Sequence, residues 1–396
     1  MANSTLAVRP TKPRPDFPLF PHRNGRWAKK VRGSFVYFTH WAKDPKGDAA
    51  VAQWLDQKDE LLAGRKPRGD RAGATVADLI NGFYNAKKKL VTNGELEQRT
   101  LDDYETVGKR VAAVFGRNRL LEDLAPADFA DLRASFAETH GPVALTSDIT
   151  RTKVIFNWGK KSGGLLKHPM DYGDEFERPS LRVLRLARAA SGPRMFEREQ
   201  LLAMLNGKTV KRKKIEGATL PLRAMLLLAI NGGLGNSDVA QLPISALDLK
   251  KGWLTYPRPK TGIDRRIPLW PETVAALKKW IPLRPQAKKS ENADLVFLTS
   301  AGNTWKRTQI DNPVSKETAK LLKRLDLHQP GLNFYSVRRT FRTIASESRD
   351  EPAADSIMGH IAESDDMAAR YRQRISDDRL VAVTNYVREW LFNTKK

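Results

Sequence analysis

The chain contains no cysteine among its 396 residues, which excludes disulfides, thiolate metal ligands and cysteine nucleophiles. It also contains no uninterrupted apolar run of about 18 residues, the length a membrane-spanning helix needs. Histidine is scarce: His22, His40, His140, His168, His328 and His360 are scattered without the spacing of a metal site. Carboxylates are in short supply relative to cations. There are 45 Asp+Glu against 69 Lys+Arg, a formal net charge of +24. Such an excess points to a polyanionic partner, because each phosphate neutralised releases condensed counterions.

Nucleotide-binding loops are missing too. Gly232-Gly233-Leu234-Gly235 lacks the third glycine and the preceding strand of a dinucleotide loop. Gly207-Lys208-Thr209 ends like a phosphate-binding loop, but Leu202 stands where its first glycine belongs. No cofactor and no metal are therefore expected. The first residues, Met1-Ala2-Asn3-Ser4-Thr5, lack the apolar core of a secretory signal, so a cytoplasmic protein with no membrane partner is expected.

What is present falls into two or three domains by length. Residues 9–18 are rich in proline and arginine and suit an extended arm. Gly25 to Phe38 mixes apolar and basic residues around Gly33-Ser34, the pattern of a small β-hairpin with one basic and one aromatic face. From Met1 to Lys43 the chain carries nine Lys/Arg against the single carboxylate Asp16, and Arg26, Lys29, Lys30 and Arg32 are candidate phosphate contacts. A helix carrying Ala49, Ala52, Trp54 and Leu55 is expected next.

Lys66 to Gly73 reads as a linker. Beyond it Thr75 caps a helix with Val76, Leu79, Ile80 and Phe83 on one stripe, and a second helix starts near Glu97. A loop at Asp123–Phe129 leads into a third. A fourth, over Thr150–Lys161, places Arg151, Lys153, Lys160 and Lys161 opposite Val154, Ile155 and Trp158. Of these cations Arg151, Lys153 and Lys160 are further candidates for DNA contact. A polar, arginine-rich connection from Tyr172 to Arg194 precedes the C-terminal half. There, helices are expected at Met195–Leu205 and Leu220–Ile230, with strands at 253–257 and 265–270 around Pro259–Asp264. The boundaries expected are a basic arm-type region at 1–65, a helical domain at 73–175 and a third domain at 193–396.

The chemistry concentrates near the C-terminus. Tyr335-Ser336-Val337-Arg338 precedes Gly359-His360 and then Tyr371. Tyrosine is a weak nucleophile at its usual pKa of about 10, and fixed cations that stabilise charge on a phosphate make it useful. With this net charge, a tyrosine that breaks a phosphodiester and holds the strand covalently is the leading chemistry.

Residues 193 to 392 or so resemble the tyrosine recombinase (phage integrase) family. Tyr371, eleven positions after His360, matches the family's nucleophile. Gly359-His360 matches its Gly-His pair, Arg338 its second phosphate-clamping arginine, and Lys260 the lysine on a β-hairpin turn. Asp238 falls where an acidic residue supports the first arginine. That first arginine is absent: its place is Gly235, within Gly233-Leu234-Gly235. Arg223 is twelve residues earlier, about 18 Å along a helix, so Arg265 or Arg266 is the more reachable stand-in. Tyr335 replaces the first histidine of His-x-x-Arg and can donate one hydrogen bond, though it is no base near neutral pH.

The resemblance implies a mainly α fold with small β elements: an arm, a helical core-binding domain and a catalytic domain. It implies a site-specific recombinase acting on double-stranded DNA through a 3′-phosphotyrosyl intermediate. Arg338, His360 and Tyr335 would stabilise the phosphate, Lys260 would protonate the leaving 5′ oxygen, and no cofactor would be needed. It also implies self-association on DNA as a tetrameric synapse. The stripe Leu380, Val383, Val387 and Trp390 of a C-terminal helix is the expected docking element. The alternatives are a DNA-binding protein of the same fold that no longer cuts, and a type IB topoisomerase.

Overall fold

The computed structural model describes residues 9–64, 73–306, 311–360 and 374–393. The chain divides into two compact units, Met1–Ala190 and Ser191–Lys396. Among the described residues no helix is long and apolar enough to cross a membrane.

In the first unit, β1 (Phe20–Pro21), β2 (Arg26–Val31) and β3 (Ser34–His40) form an antiparallel sheet in that order. The hairpin turns at Arg32-Gly33 rather than at Gly33-Ser34. Val31 pairs with Ser34, and the two turn residues have φ of 49° and 87°. Two positive φ values in succession give the mirror-image turn whose twist matches the strands, and a glycine adopts one of them without a Cβ clash. The inner face of the sheet packs Trp27, Val31 and Phe38 against Ala50 and Trp54 of helix α1 (Asp48–Leu62). The other face gathers Phe20, His22, Phe35 and Tyr37 into a ring cluster, with Phe35 48% and Tyr37 40% exposed.

A second core lies among α2 (Val76–Thr92), α3 (Gln98–Phe115), α4 (Pro126–Thr139) and α5 (Pro142–Lys161). Thr75 caps α2 reciprocally: its hydroxyl accepts from Asp78 N–H at 3.2 Å, and the Asp78 carboxylate accepts from Thr75 N–H at 2.9 Å. Helix α5 starts at Pro142, well before the expected Thr150, because proline at the first position gives up only a donor that would have no partner. Phe129 meets Phe115 and Phe156 edge-on at 5.1 and 5.3 Å, which fixes the centre of this bundle. The stretch expected as a polar connection contains α6 (Leu181–Ala190), a helix with no buried residue. Leucine, alanine and arginine all favour helix, so local propensity suffices there.

The second unit is organised around α8 (Leu220–Gly232), apolar on every side and buried from Ala224 to Gly232. A helix of that composition must be surrounded. It packs against α7 (Arg198–Asn206), α9 (Asn236–Ala240), α10 (Pro271–Trp280), α11 (Pro313–Arg324) and α12 (Phe334–Glu347). The basic segment 208–214 is a hairpin of β4 (Lys208–Val210) and β5 (Lys213–Ile215). A three-stranded antiparallel sheet follows, of β6 (Leu247–Asp248), β7 (Trp253–Thr255) and β8 (Arg266–Pro268). Two more helices, α13 (Glu351–Met358) and α14 (Asp377–Phe392), close the unit.

Helix α14 corrects one expectation. Leu380, Val383 and Val387, the stripe expected to dock on a neighbouring copy, are buried in the core of their own unit. The Trp270 indole N–H donates to Thr384 O at 3.0 Å, and Arg388 grips Glu272 through two bonds of 2.6 and 2.9 Å. The helix is held in cis because its apolar face is the lid of the core around α8 and α12.

Buried Asn231 joins α8 to the end of β8, donating to Pro268 O at 2.9 Å and accepting from Trp270 N–H at 2.8 Å. Asn231→Leu leaves both backbone groups unpaired in the core. At about 1–3 kcal/mol per orphaned group, unfolding free energy should drop by about 2–6 kcal/mol. A lower urea midpoint at unchanged slope is the check.

Candidate active site

Helix α12 begins at Asn333, whose side chain accepts from Tyr335 N–H at 2.9 Å. The helix projects Tyr335, Arg338 and Arg339 from its first turns. Arg338 turns inward and is only 2% exposed. Its guanidinium donates to Gly233 O at the end of α8, to Met358 O at the end of α13 at 3.0 Å, and lies 3.0 Å from His360 Nε2. Asp238, on α9, approaches it at 3.9 Å. Burial lowers the pKa of this arginine, and the nearby Arg258 lowers it further, against the pull of Asp238.

These contacts assign the histidine's tautomer. A guanidinium only donates, so His360 Nε2 must accept with a bare lone pair. The proton then sits on Nδ1, which donates to Asp355 Oδ1 at 3.0 Å. Gly359, in the left-handed region at φ 62°, ends α13 and turns the chain so that the ring can reach both partners. A Cβ on Gly359 would lie 2.8 Å from Arg265 Cδ and 3.0 Å from Arg258 Cβ. The glycine therefore also admits two arginine stems beneath it.

Those arginines come from the β7–β8 hairpin. Arg258 donates to Gly359 O at 3.1 Å, and the Thr261 hydroxyl donates to the same oxygen at 3.3 Å. Arg265 donates from Nε to Tyr256 O at 3.1 Å and from Nη2 to Asp238 Oδ1 at 3.4 Å. Its neighbour Arg266 points the opposite way, as strand alternation requires. Arg266 stacks on the Trp253 ring at 4.0 Å and takes both oxygens of Asp377 at 2.8 Å. Of the two stand-ins for the missing arginine, Arg265 faces the site and Arg266 does not.

The other expected site residues distribute unevenly. Lys260 is exposed at the hairpin tip, two residues from Arg258. Tyr335 is 41% exposed, with Arg339 over its ring at 5.5 Å. Its ring edge lies 3.5 Å from where a Cβ on Gly235 would sit. Tyr371 lies outside the described residues. In the first unit Arg26, Lys30 and Arg32 are exposed, whereas Lys29 folds back, donating to Pro18 O at 2.9 Å with its ammonium over Trp54. Arg151 and Lys153 are engaged by Asp103 and Glu177, while Lys160 is exposed and bonds Lys167 O at 2.6 Å. Among the described residues no group of three His, Cys, Asp or Glu side chains converges as a metal site. Sequence reasoning missed Arg258 and Asp355. Asp355 had a readable signal, a carboxylate five positions before the histidine on a short helix; Arg258 had none.

A buried arginine, a histidine oriented by a carboxylate and a cationic hairpin thus meet on this helical scaffold. Residues 195–376 match the phage integrase family model, and the C-terminal unit of this chain belongs to that family. A lambda integrase tetramer bound to a Holliday junction superposes with a TM-score of 0.54 at 14% identity, covering 92% of this chain and 98% of that one. The type 1 fimbriae regulatory protein FimB of Escherichia coli K12 is 31% identical over 104 residues, 26% of this chain and 52% of FimB. The tyrosine recombinase XerC of Pseudomonas aeruginosa is 28% identical over 171 residues, 42% of this chain and 52% of XerC. The chain thus spans about half the length of the curated relatives it matches.

Burial lowers the His360 pKa, Asp355 raises it, and Arg338 and Arg258 lower it again, for a net downward shift. By NMR its ring protons should titrate below about 6.5, the unperturbed value. Arg258→Gln should raise that midpoint and Asp355→Asn should lower it. Below about 6.5 the unfolded chain binds a proton that the folded ring refuses. Stability should therefore fall with pH down to the folded midpoint and be flat above about 6.5 for this group.

Proposed function

We propose that this protein is a site-specific DNA recombinase that cuts and rejoins strands through a covalent tyrosine link. The observation that carries the reading is the Arg338–His360–Asp355 chain of contacts, with the hairpin that bears Lys260 tied to the neighbouring Gly359 O through Thr261. The Tyr371 oxygen attacks the scissile phosphorus and forms the new P–O bond, while the bond to the 5′ oxygen breaks. Arg338 stabilises the pentavalent phosphate, with Tyr335 offering a further hydroxyl and Asp238 holding the guanidinia in place. Lys260, extended on its exposed tip, delivers the proton to the departing 5′ oxygen. His360 Nε2, the unprotonated ring nitrogen, takes the Tyr371 hydroxyl proton as the ester forms. It returns that proton to the tyrosine oxygen when a 5′-hydroxyl of a second strand attacks, and Lys260 takes up the attacking hydroxyl's proton. Bond energy is kept in the phosphotyrosine, so the cycle balances without a nucleotide or metal.

The three separate hydrophobic cores support a division of labour. An arm region at 1–65 and a core-binding domain at 73–175 would hold duplex DNA, and a catalytic domain at 193–396 would cut it. Self-association on DNA is part of the proposal, in the tetrameric form described for the lambda integrase complex.

The covalent link is tested with a pool of nicked duplexes of randomised centre. A protein–DNA adduct stable to denaturation is expected, and it should vanish in Tyr371→Phe. An adduct that persists in that variant would remove the tyrosine from its role. Relaxation of supercoiled plasmid without joining of two sites would instead mark a topoisomerase.

Phosphate contact is tested by salt. Log affinity should fall linearly with log salt, at a slope of about 0.9 per neutralised phosphate. The double variant Arg26→Ala, Lys30→Ala should lower that slope by about 2. An unchanged slope would show that the basic side chains of the central strand β2 do not touch the DNA backbone.

A further inference from the structure

The family's first arginine has no counterpart at Gly235, yet the carboxylate that would support it is intact and occupied. Asp238 Oδ2 accepts from Gly235 N–H at 2.6 Å, and Asp238 Oδ1 faces Arg265 Nη2 at 3.4 Å. Arg265 is 1% exposed, clasped by Tyr256 O, the Tyr256 ring at 5.5 Å and the Gly359 backbone above its stem. One terminal nitrogen remains: Arg265 Nη1 is buried and has no hydrogen-bond partner among the described residues. A buried guanidinium nitrogen without an acceptor is costly, and native structures retain one where a ligand or a function explains it.

Charge counting leads the same way. Arg258, Arg265 and Arg338 converge around Asp238 and Gly359, and Asp238 is the carboxylate that reaches both Arg265 and Arg338. Asp355 is engaged by His360 and by Arg342. Among the described residues, three guanidinia against one carboxylate leave a local excess of positive charge that an anion would neutralise.

We propose that Arg265 is the second phosphate-binding guanidinium of this site, supplied by the β-hairpin in place of the arginine absent at Gly235. Its Nη1 donates to a non-bridging oxygen of the scissile phosphate, while Nη2 stays on Asp238. Gly359 is what lets the stem pass beneath the histidine turn. The assignment rests on the recombinase reading above.

The test separates the two. Wild-type protein captures its own target from the randomised nicked pool as a covalent adduct; if it captures none, the recombinase reading fails. With the captured sequence, Arg265→Ala and Arg265→Gln should form adduct about 100- to 1000-fold more slowly. Loss of rate alone also fits a folding defect, so charge recognition is read without chemistry. In a Tyr371→Phe background, affinity is compared for duplexes carrying a phosphate or a neutral methylphosphonate at the cut position. Arg265→Ala should shrink that affinity ratio about tenfold or more. Arg265→Gln, whose stem still fills the space under Gly359, should do the same if the alanine variant does not fold. A ratio equal to that of the parent, with adduct formation intact in the wild type, overturns the role of Arg265 and leaves the recombinase reading standing.

Discussion

The second unit depends on a guanidinium that satisfies the ends of two helices at once. Helices leave their last carbonyls without intrahelical partners, and a cation is the favourable group to meet them. Arg338 takes Gly233 O after α8 and Met358 O at the end of α13, so the residue proposed to meet the phosphate also ties the central helix to the histidine turn. Removing one buried member of such a network strands the others. Site and core are therefore one construction, and an Arg338 variant should not be read as purely catalytic.

The hairpin divides two neighbouring arginines between two tasks. Alternation sends Arg265 inward to Asp238 and Arg266 outward to Asp377, at the first residue of α14. One strand edge thus anchors both the buried charge cluster and the start of the C-terminal helix. The paired bonds from Arg266 also place a cation over Trp253, an arrangement lysine does not reproduce.

Much of this was legible from residue patterns, for identifiable reasons. The cap at Thr75 and the helix α8 with its long apolar run follow from local chemistry, and the 253–268 hairpin follows from its turn residues. Helix α6 was missed because arginines made a helix-favouring stretch look like a linker. The apolar stripe of α14 was readable, but its destination was not: periodicity reports a buried face and not whose core buries it. Within the site, Asp238, Arg338 and His360 sit in short local phrases, and all three converge. Arg258 and the unpaired nitrogen of Arg265 were invisible, because their meaning comes from contacts about a hundred residues away along the chain, at Gly359.

The shared hydrogen bond between Arg338 and His360 has a consequence for the protein away from DNA. In that state the imidazole lone pair is capped by the cation proposed to meet the phosphate. A phosphate that draws this N–H to itself uncovers the nitrogen at the same moment. The resting chain thus keeps this ring nitrogen sheathed, and under the proposed function a bound phosphate is the key that bares it.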